Sequence, residues 1–549
     1  MQLNTQFLYF PCCLIVLLCI GTSRAEWLNR PGPYNPPTQA TPNLGSTPVV
    51  DVSAFGARGD GKSDDTQALQ TAINTMPSGA TLAFGSSNQV YLITARLTLR
   101  PNMIYQGHGT IRMGRTVAAH TAIAKLQYGA ADNVTIQGLT FDANGVGGGL
   151  QIAVDGGGAI PAHGLHINHM IFRNTTATPA GPWDAALYAP VGLIKSQITY
   201  NQVINCALGM YLTNPGSLTV SQNSFQTVHL GDAISITFAP GPFAYGQNIL
   251  ISGNSGQHLG RMGIEIWPSG GNIAQTSQVE NMVISGNTFS EWDPGYNTDT
   301  FGISIMAGRQ HQVSANKLIG LDGGLGIELG ATQSLIEQNT VQGFSTGIVL
   351  HDSADSTVVG NMLSAQTRSG IEFSNAPGSR THINIQNNSI TNSQIFGIMV
   401  NTANWGGTTI SGNFISRSDG VFSTDQEQAF TGIATTPPAT PVTVVGNSIT
   451  QPALTGPPQF SFMGIRINGD AGANASSAYK DNTVISHLLL PQSVGLFGNS
   501  PGSLDGVIIE GNTFTGLYSA SGGAGSSGAV ISGNVVYDCI VAGPVNLVP

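Results

Sequence analysis

Certain residues in this 549-residue chain share one place in a recurring phrase, the x of Gly-Ile-x-Ile or its equivalent: Tyr211, Ser235, Glu265, Ser304, Glu328, Val349, Glu372, Met399 and Arg466. Strand alternation turns that position outward, so the acids of the central repeats are expected to share one face. Asp232 opens one such phrase (Gly231-Asp232-Ala233-Ile234-Ser235-Ile236), and the next carries both Arg261 and Glu265 (Gly260-Arg261-Met262-Gly263-Ile264-Glu265-Ile266). With strands about 4.8 Å apart and about 10 Å of travel along them, the Asp232 and Glu265 backbones would lie about 11 Å apart. Side chains leaning together would bring the carboxyls to about 6.5–9.5 Å, the separation that admits a water for inverting glycoside hydrolysis. One acid would protonate the leaving oxygen and the other would activate the water. Asp299 is the first substitute for either role, ahead of Asp293 and Asp322.

Aromatic residues gather in the insertions of the same repeats: Trp183 and Tyr188, then Phe238, Phe243 and Tyr245, then Trp267, Trp292 and Tyr296. Acids on a floor between aromatic walls suit a sugar chain, whose ring faces stack on aromatics while its hydroxyls need polar partners. Trp267, Trp292, Tyr296, Tyr211, His258 and Glu328 are therefore the expected substrate contacts. His351, followed by Asp352, is a weaker acid–base candidate.

A lyase or epimerase would use the groove differently, with Arg261 or a bound Ca²⁺ neutralising a uronate carboxylate while a base removes the adjacent proton. The charge balance opposes that use. Lys+Arg number 19 against 29 Asp+Glu, a net charge of −10, and the five lysines offer a polyanion little attraction. Nucleic acid is excluded on the same ground. An acidic ladder admits Ca²⁺, but no dense Asp-x-Asp-Gly loop specifies it.

The elements that must position these residues are legible in a repeat. An asparagine recurs at 201, 223, 254, 287, 316, 339, 361, 388, 413, 447, 482, 512 and 534, each after an apolar-x-apolar pair, and no spacing is shorter than 22 residues. A fixed minimum with insertions on top predicts stacked coils of three short strands, a parallel β-solenoid whose loops grow outward. The asparagines are expected to turn the chain in left-handed or bridge conformations and to bond along the stack. Hydrophobic residues make up 41% of the chain, enough for a long core, although 71 residues are glycine.

Residues 1–25 read as a secretory signal: an apolar run, Phe7 to Ile20, is too short to span a bilayer comfortably, and Ser23-Arg24-Ala25 offers a cleavage pattern. Residues 26–48, rich in Pro and Thr, read as a linker, and 49–549 as one domain acting as a secreted monomer. Cys206 and Cys539, the cysteines beyond the signal, are too few for a disulfide framework.

Gly56-Ala57-Arg58-Gly59-Asp60-Gly61-Lys62-Ser63 matches a phosphate-binding loop, but no alternation of strands and helices follows it. No nucleotide is expected there. Asp64 and Asp65 instead cap a helix whose Ala68, Leu69, Ala72 and Ile73 close the end of the solenoid. The stretch from Val50-Asp51-Val52 through Gly56 to Ala72-Ile73 resembles the entry segment of the pectate-lyase superfamily, and the coil pattern extends that resemblance over roughly residues 49–540. The resemblance implies an all-β fold, a right-handed single-stranded parallel β-helix with a short N-terminal capping helix, acting on extracellular polysaccharide such as a pectin-like, uronic-acid-containing glycan. The polygalacturonase-like members carry an Asp-Asp pair and, one coil on, a histidine. Only Asp232 matches here; Leu208 and Met262 stand where an aspartate and that histidine would fall, so their mechanism does not transfer whole. A solenoid that only binds glycan or serves as a surface scaffold is the non-enzymatic alternative.

Overall fold

The protein is described by a computed structural model covering residues 48–540, apart from 155–159, 240–245, 269–278, 294–299, 352, 374–379, 401–404, 419–428, 436–440, 453–460, 469–475, 488–492, 500–502 and 524–528. The expected signal and nearly all of the linker lie outside the described residues, as do Tyr296, Asp299 and Asp352. The unit spanning 47–549 is described below.

Each turn of the chain contributes one short strand to each of three long parallel ladders, and the result is the right-handed parallel β-helix expected from the repeat. A representative coil runs Leu250–Ser252, Ser255–Leu259 and Ile264–Pro268; the next runs Val283–Ser285, Thr288–Trp292 and Ile303–Ile305. Ile251, Ile264 and Ile266 point inward and are fully buried, stacked on Ile284, Ile303 and Ile305 of the following coil. Removing each such side chain from water contributes about 1.5–3 kcal/mol, so one layer of three or four per coil drives the stacking.

The asparagine ladder is continuous. Every one of the thirteen is buried, and Nδ2 of each from Asn201 to Asn512 donates to Oδ1 of the next at 2.9 Å. Each of these Oδ1 atoms also accepts the preceding asparagine's backbone N–H, for example Asn339 N to Asn361 Oδ1 at 3.0 Å. The left-handed conformation falls on the preceding residue rather than on the asparagine itself: Tyr200, Gln222, Gly253, Gly286, Gln338 and Gly360 all have positive φ. The asparagine is selected by its amide, and the residue before it makes the turn.

A second stack sits where each Gly-Ile phrase begins. A Cβ on Gly326 would lie 2.5 Å from the Gly347 carbonyl oxygen, and one on Gly347 would lie 2.6 Å from that of Gly370. Coils approach too closely there for any side chain.

Helix α1 (Thr66–Thr75) buries Leu69, Ala72 and Ile73 against the first coils. Of the two predicted caps, Asp64 accepts the Thr66 N–H at 3.0 Å, whereas Asp65 turns back to accept Arg58 N at 2.7 Å and Gly59 N at 3.1 Å. In the phosphate-loop look-alike the Lys62 and Ser63 N–H groups donate to the Asp60 carboxylate, which they hold down to about 2. A carboxylate fills the place an anion would take.

Candidate functional site

The register of the third ladder sets the site. Tyr211 pairs with Ser235, Ser235 with Glu265, Glu265 with Ser304, Ser304 with Glu328, Glu328 with Val349, and Val349 with Glu372. Their flanking residues, Ile234 and Ile236 or Ile264 and Ile266, are core, so this column runs along the outer side of the sheet. Trp267 stands two residues beyond Glu265 on the same side, 42% exposed. The aromatic step and the acid are thus adjacent.

Asp232 and Arg261 come from the turns that precede their strands, Ile234–Phe238 and Ile264–Pro268. Arg261 Nη1 donates to both Asp232 oxygens at 3.0 Å, while Nη2 donates to Glu265 Oε1 at 2.8 Å. Ser235 Oγ donates to Glu265 Oε2 at 3.0 Å. Glu265 is therefore pinned through both oxygens, and one guanidinium bridges the two carboxyls that the sequence reading set apart around a water. Exposure separates the members further: the side chains are 24% exposed for Arg261, 12% for Glu265 and 0% for Asp232. Arg261 and Glu265 are open to solvent in part, with Asp232 beneath them.

Asp232 also accepts the Met262 N–H at 3.1 Å and the Tyr211 hydroxyl at 3.2 Å. Burial, and then the neighbouring Glu265 charge, push its carboxyl up to about 7 against the opposing pull of Arg261. Burial likewise lifts the Tyr211 phenol well above its ordinary value, so it stays a neutral donor.

The raised carboxyl makes stability depend on pH. Between its ordinary value of 3.8 and about 7 the folded chain keeps a proton that the unfolded chain has released, so this group lowers stability as pH rises through that window. Asp232→Asn is expected to remove that contribution, seen as a flatter dependence of Tm on pH from about 4 to 7 than in the parent; parallel curves would contradict it.

Two coils beyond Glu265, Glu328 accepts from Ser304 Oγ at 2.5 Å and pairs with His351 Nε2 at 3.0 Å. The Arg261–Glu265 spacing recurs as Arg368–Glu372, with Nη2 to Oε1 at 3.1 Å, and there the buried Thr346 hydroxyl reaches Glu372 at 3.5 Å.

Two expected substrate contacts lie elsewhere. Trp292 is buried, its indole N–H donating to the Arg261 carbonyl at 2.7 Å and its ring edge-on to Phe344. The cause is local, since left-handed Glu291 breaks the alternation of strand Thr288–Trp292 and turns the next side chain inward. His258, at the matching left-handed corner one coil earlier, pairs with Glu291 at 3.2 Å and Asp293 at 3.5 Å rather than with the Arg261 cluster. The sequence reading missed Ser235 and Ser304 as carboxylate donors, although their place in the outward series was readable.

Residues 235–451 match a family described as "Periplasmic copper-binding protein (NosD)". A curated relative, "Non-secreted LysM effector LysM19" of Penicillium expansum, is 27% identical over 150 residues, which are 26% of this chain and 11% of the relative. The chain thus spans about a tenth of that protein's length. Among solved structures, the N-terminal fragment of gene product 12 of bacteriophage Phi29 superposes with a TM-score of 0.52 at 13% identity, covering 89% of this chain and 91% of that one. The catalytic unit of the GH87 α-1,3-glucanase of Streptomyces thermodiastaticus gives 0.44 at 15%, covering 78% and 69%.

Copper would require clustered imidazole or sulfur donors. Within the matched segment His311 is buried and bonded to the Ala307 carbonyl, His351 is held by Glu328, and no group of three metal-ligating side chains is found among the described residues. Among the described residues the histidines and acids do not form a copper site. In its coils and its three ladders this chain has the parallel β-helix fold, and the Phi29 fragment superposes on most of it.

Proposed function

We propose that the outer side of the third ladder binds a polysaccharide and that the protein hydrolyses its glycosidic bonds, with Glu265 as an acid–base residue. The observation that carries this reading is a carboxylate fixed by Arg261 and Ser235, partly open to solvent and next to the exposed Trp267. Glu328 is the second carboxylate. Two strand spacings put its backbone about 9.6 Å from that of Glu265. Ser304, buried and bonded to Glu328, lies between them. Asp232 acts from beneath as a positioning residue through Arg261, and Tyr211 supports it. Asp299 would replace Glu328 only by reaching this column from its insertion.

Hydrolysis is favoured over proton abstraction from a uronate by the state of the arginine. Its guanidinium donors are already bonded to the Asp232 and Glu265 carboxyls, so few are left for a substrate carboxylate. A neutral or weakly charged glycan fits this face better than a polyuronate, and no Ca²⁺ is needed. A fold does not fix a function, so binding without cleavage is the alternative that an activity measurement decides. Residues 1–25 would direct export, in keeping with an extracellular or periplasmic substrate.

The test is incubation of the chain from residue 26 onward with a panel of neutral and acidic plant, algal and microbial polysaccharides, following reducing ends and the absorbance of unsaturated uronides together. New reducing ends without absorbance are expected. Rising absorbance would overturn hydrolysis, and no change on any substrate would leave binding as the function.

A further inference from the structure

Three coils before Glu265, a second polar cluster lies at the start of the same ladder, and none of its residues belongs to the machinery above. The 3₁₀ turn Pro182–Asp184 sends two adjacent side chains to opposite sides, Trp183 outward at 40% exposure and Asp184 into full burial. The indole is held by its own chain: it lies so close over Gly181 that a Cβ there would stand 2.4 Å from the ring. Asp184 Oδ2 accepts the Ala180 N–H at 2.8 Å and lies 2.7 Å from His120 Nδ1. Its other oxygen is buried and has no hydrogen-bond partner among the described residues.

His120 and Asp184 do not belong to neighbouring coils. The coil between them passes as Gly147-Gly148-Gly149, where a Cβ would stand 2.2 Å from the Thr121 carbonyl oxygen, 2.6 Å from that of Trp183 and 2.3 Å from that of Ala186. The imidazole reaches across a stretch without side chains. Its Nδ1 is fixed by a buried carboxylate, and its other nitrogen belongs to a ring 37% exposed. Gln151, on the outward column, donates to the Trp183 carbonyl at 3.1 Å and accepts from Arg96 at 2.8 Å. Between this cluster and Asp232, Ala185, Ala207 and Leu208 pack with Tyr188 and Tyr211, an apolar step along the same side.

A buried aspartate that fixes one imidazole nitrogen sets the tautomer and the aim of the other. An exposed indole held on backbone beside it offers a flat apolar surface with a polar edge. Together these are the parts of a sugar subsite, a ring face to stack and an oriented donor or acceptor for a hydroxyl. We propose that Trp183 and His120, oriented by Asp184, form a remote subsite for one sugar unit of the same glycan chain. It lies about 14 Å from the Glu265 coil by three strand spacings. The subsite contributes affinity and register, not bond cleavage. The inference rests on the glycan reading of this side of the ladder.

The experiment compares the parent with Trp183→Ala, His120→Gln and a Trp267→Ala control, each first checked for an unchanged Tm. Each is titrated with the soluble polysaccharides of the panel, named by the parent's own response, and followed by tryptophan fluorescence and by reducing ends. The expected result is an at least tenfold loss of affinity in both Trp183→Ala and His120→Gln, read as raised KM with kcat nearly unchanged. The fluorescence change should vanish in Trp183→Ala and persist in part in Trp267→Ala. A parent that cleaves, with both variants matching its KM and Trp183→Ala keeping the full fluorescence change, overturns the subsite and leaves the hydrolase reading standing. A parent that binds without cleaving, its binding lost on Trp183→Ala, supports the subsite and overturns hydrolysis. A parent that neither binds nor cleaves overturns both.

Discussion

Glu265→Gln is expected to lower kcat by about 10²–10⁴-fold on whichever polysaccharide the parent cleaves, because positioned proton transfer is worth that much to bond cleavage. The change is nearly isosteric: Ser235 Oγ keeps an acceptor, and Arg261 keeps its bonds to Asp232. The fold should be undisturbed and KM little altered. Glu328→Gln should lose activity to a similar degree, since the reaction needs a second carboxylate on the far side of the bond. Arg261→Lys is expected to lose activity through a different route. A lysine ammonium cannot span Asp232 and Glu265 as the planar guanidinium does, so Glu265 would lose its fixed orientation. Steady-state kinetics on purified, folded variants decides the matter. A Glu265→Gln enzyme within about fivefold of the parent would remove Glu265 from the chemistry.

The second large effect concerns stability. Asn339 Nδ2 donates to the Asn361 side chain and to the Val313 carbonyl, and its Oδ1 accepts both the backbone and the side-chain N–H of Asn316. Asn339→Ala leaves the buried Asn316 backbone N–H without a partner and takes one bond each from Asn316 Nδ2, the Asn361 side chain and the Val313 carbonyl, although Asn361 Oδ1 keeps the residue-339 N–H and Asn316 Nδ2 keeps the Ile284 carbonyl, so a loss of about 2–4 kcal/mol is expected. Asn339→Asp should be no milder, because it removes the donor and places a charge inside a stack with no cation in it. Urea denaturation of the two variants measures the loss. A change under about 1 kcal/mol would mean that water enters the ladder and replaces the amide.

How much of this was legible beforehand differs by level. Each ladder asparagine could be picked out in the sequence, because a coil that must return to the same place imposes a fixed minimum length and leaves one position that only an amide fills. The outward column from Tyr211 to Arg466 was readable for the same reason: a period of two along a strand and one strand per coil fix both face and register. The left-handed half of the turn expectation fell on the wrong residue, because left-handed backbone and a bonding side chain sit on adjacent residues, and the Gly-Asn pair can be read either way.

Side chains outside the regular strands were not readable. Trp292 looks like a groove aromatic until Glu291 adopts positive φ and turns the following ring into the core. Asp232 and Glu265 look like a pair with a water between them until Arg261, from a turn, inserts its guanidinium. His120 and Asp184 are 64 residues apart in the sequence, and only three glycines in the intervening coil let them meet.

The sequence alone determined the coil, its repeat, the face on which each strand residue lies and the order of acids along that face, since these follow from periodicity and local burial. The tertiary structure decided which charges meet, which acid is buried and which is open, and where aromatic rings remain exposed. Those outcomes depend on contacts between turns in different coils, and a turn has no period from which its neighbours can be inferred.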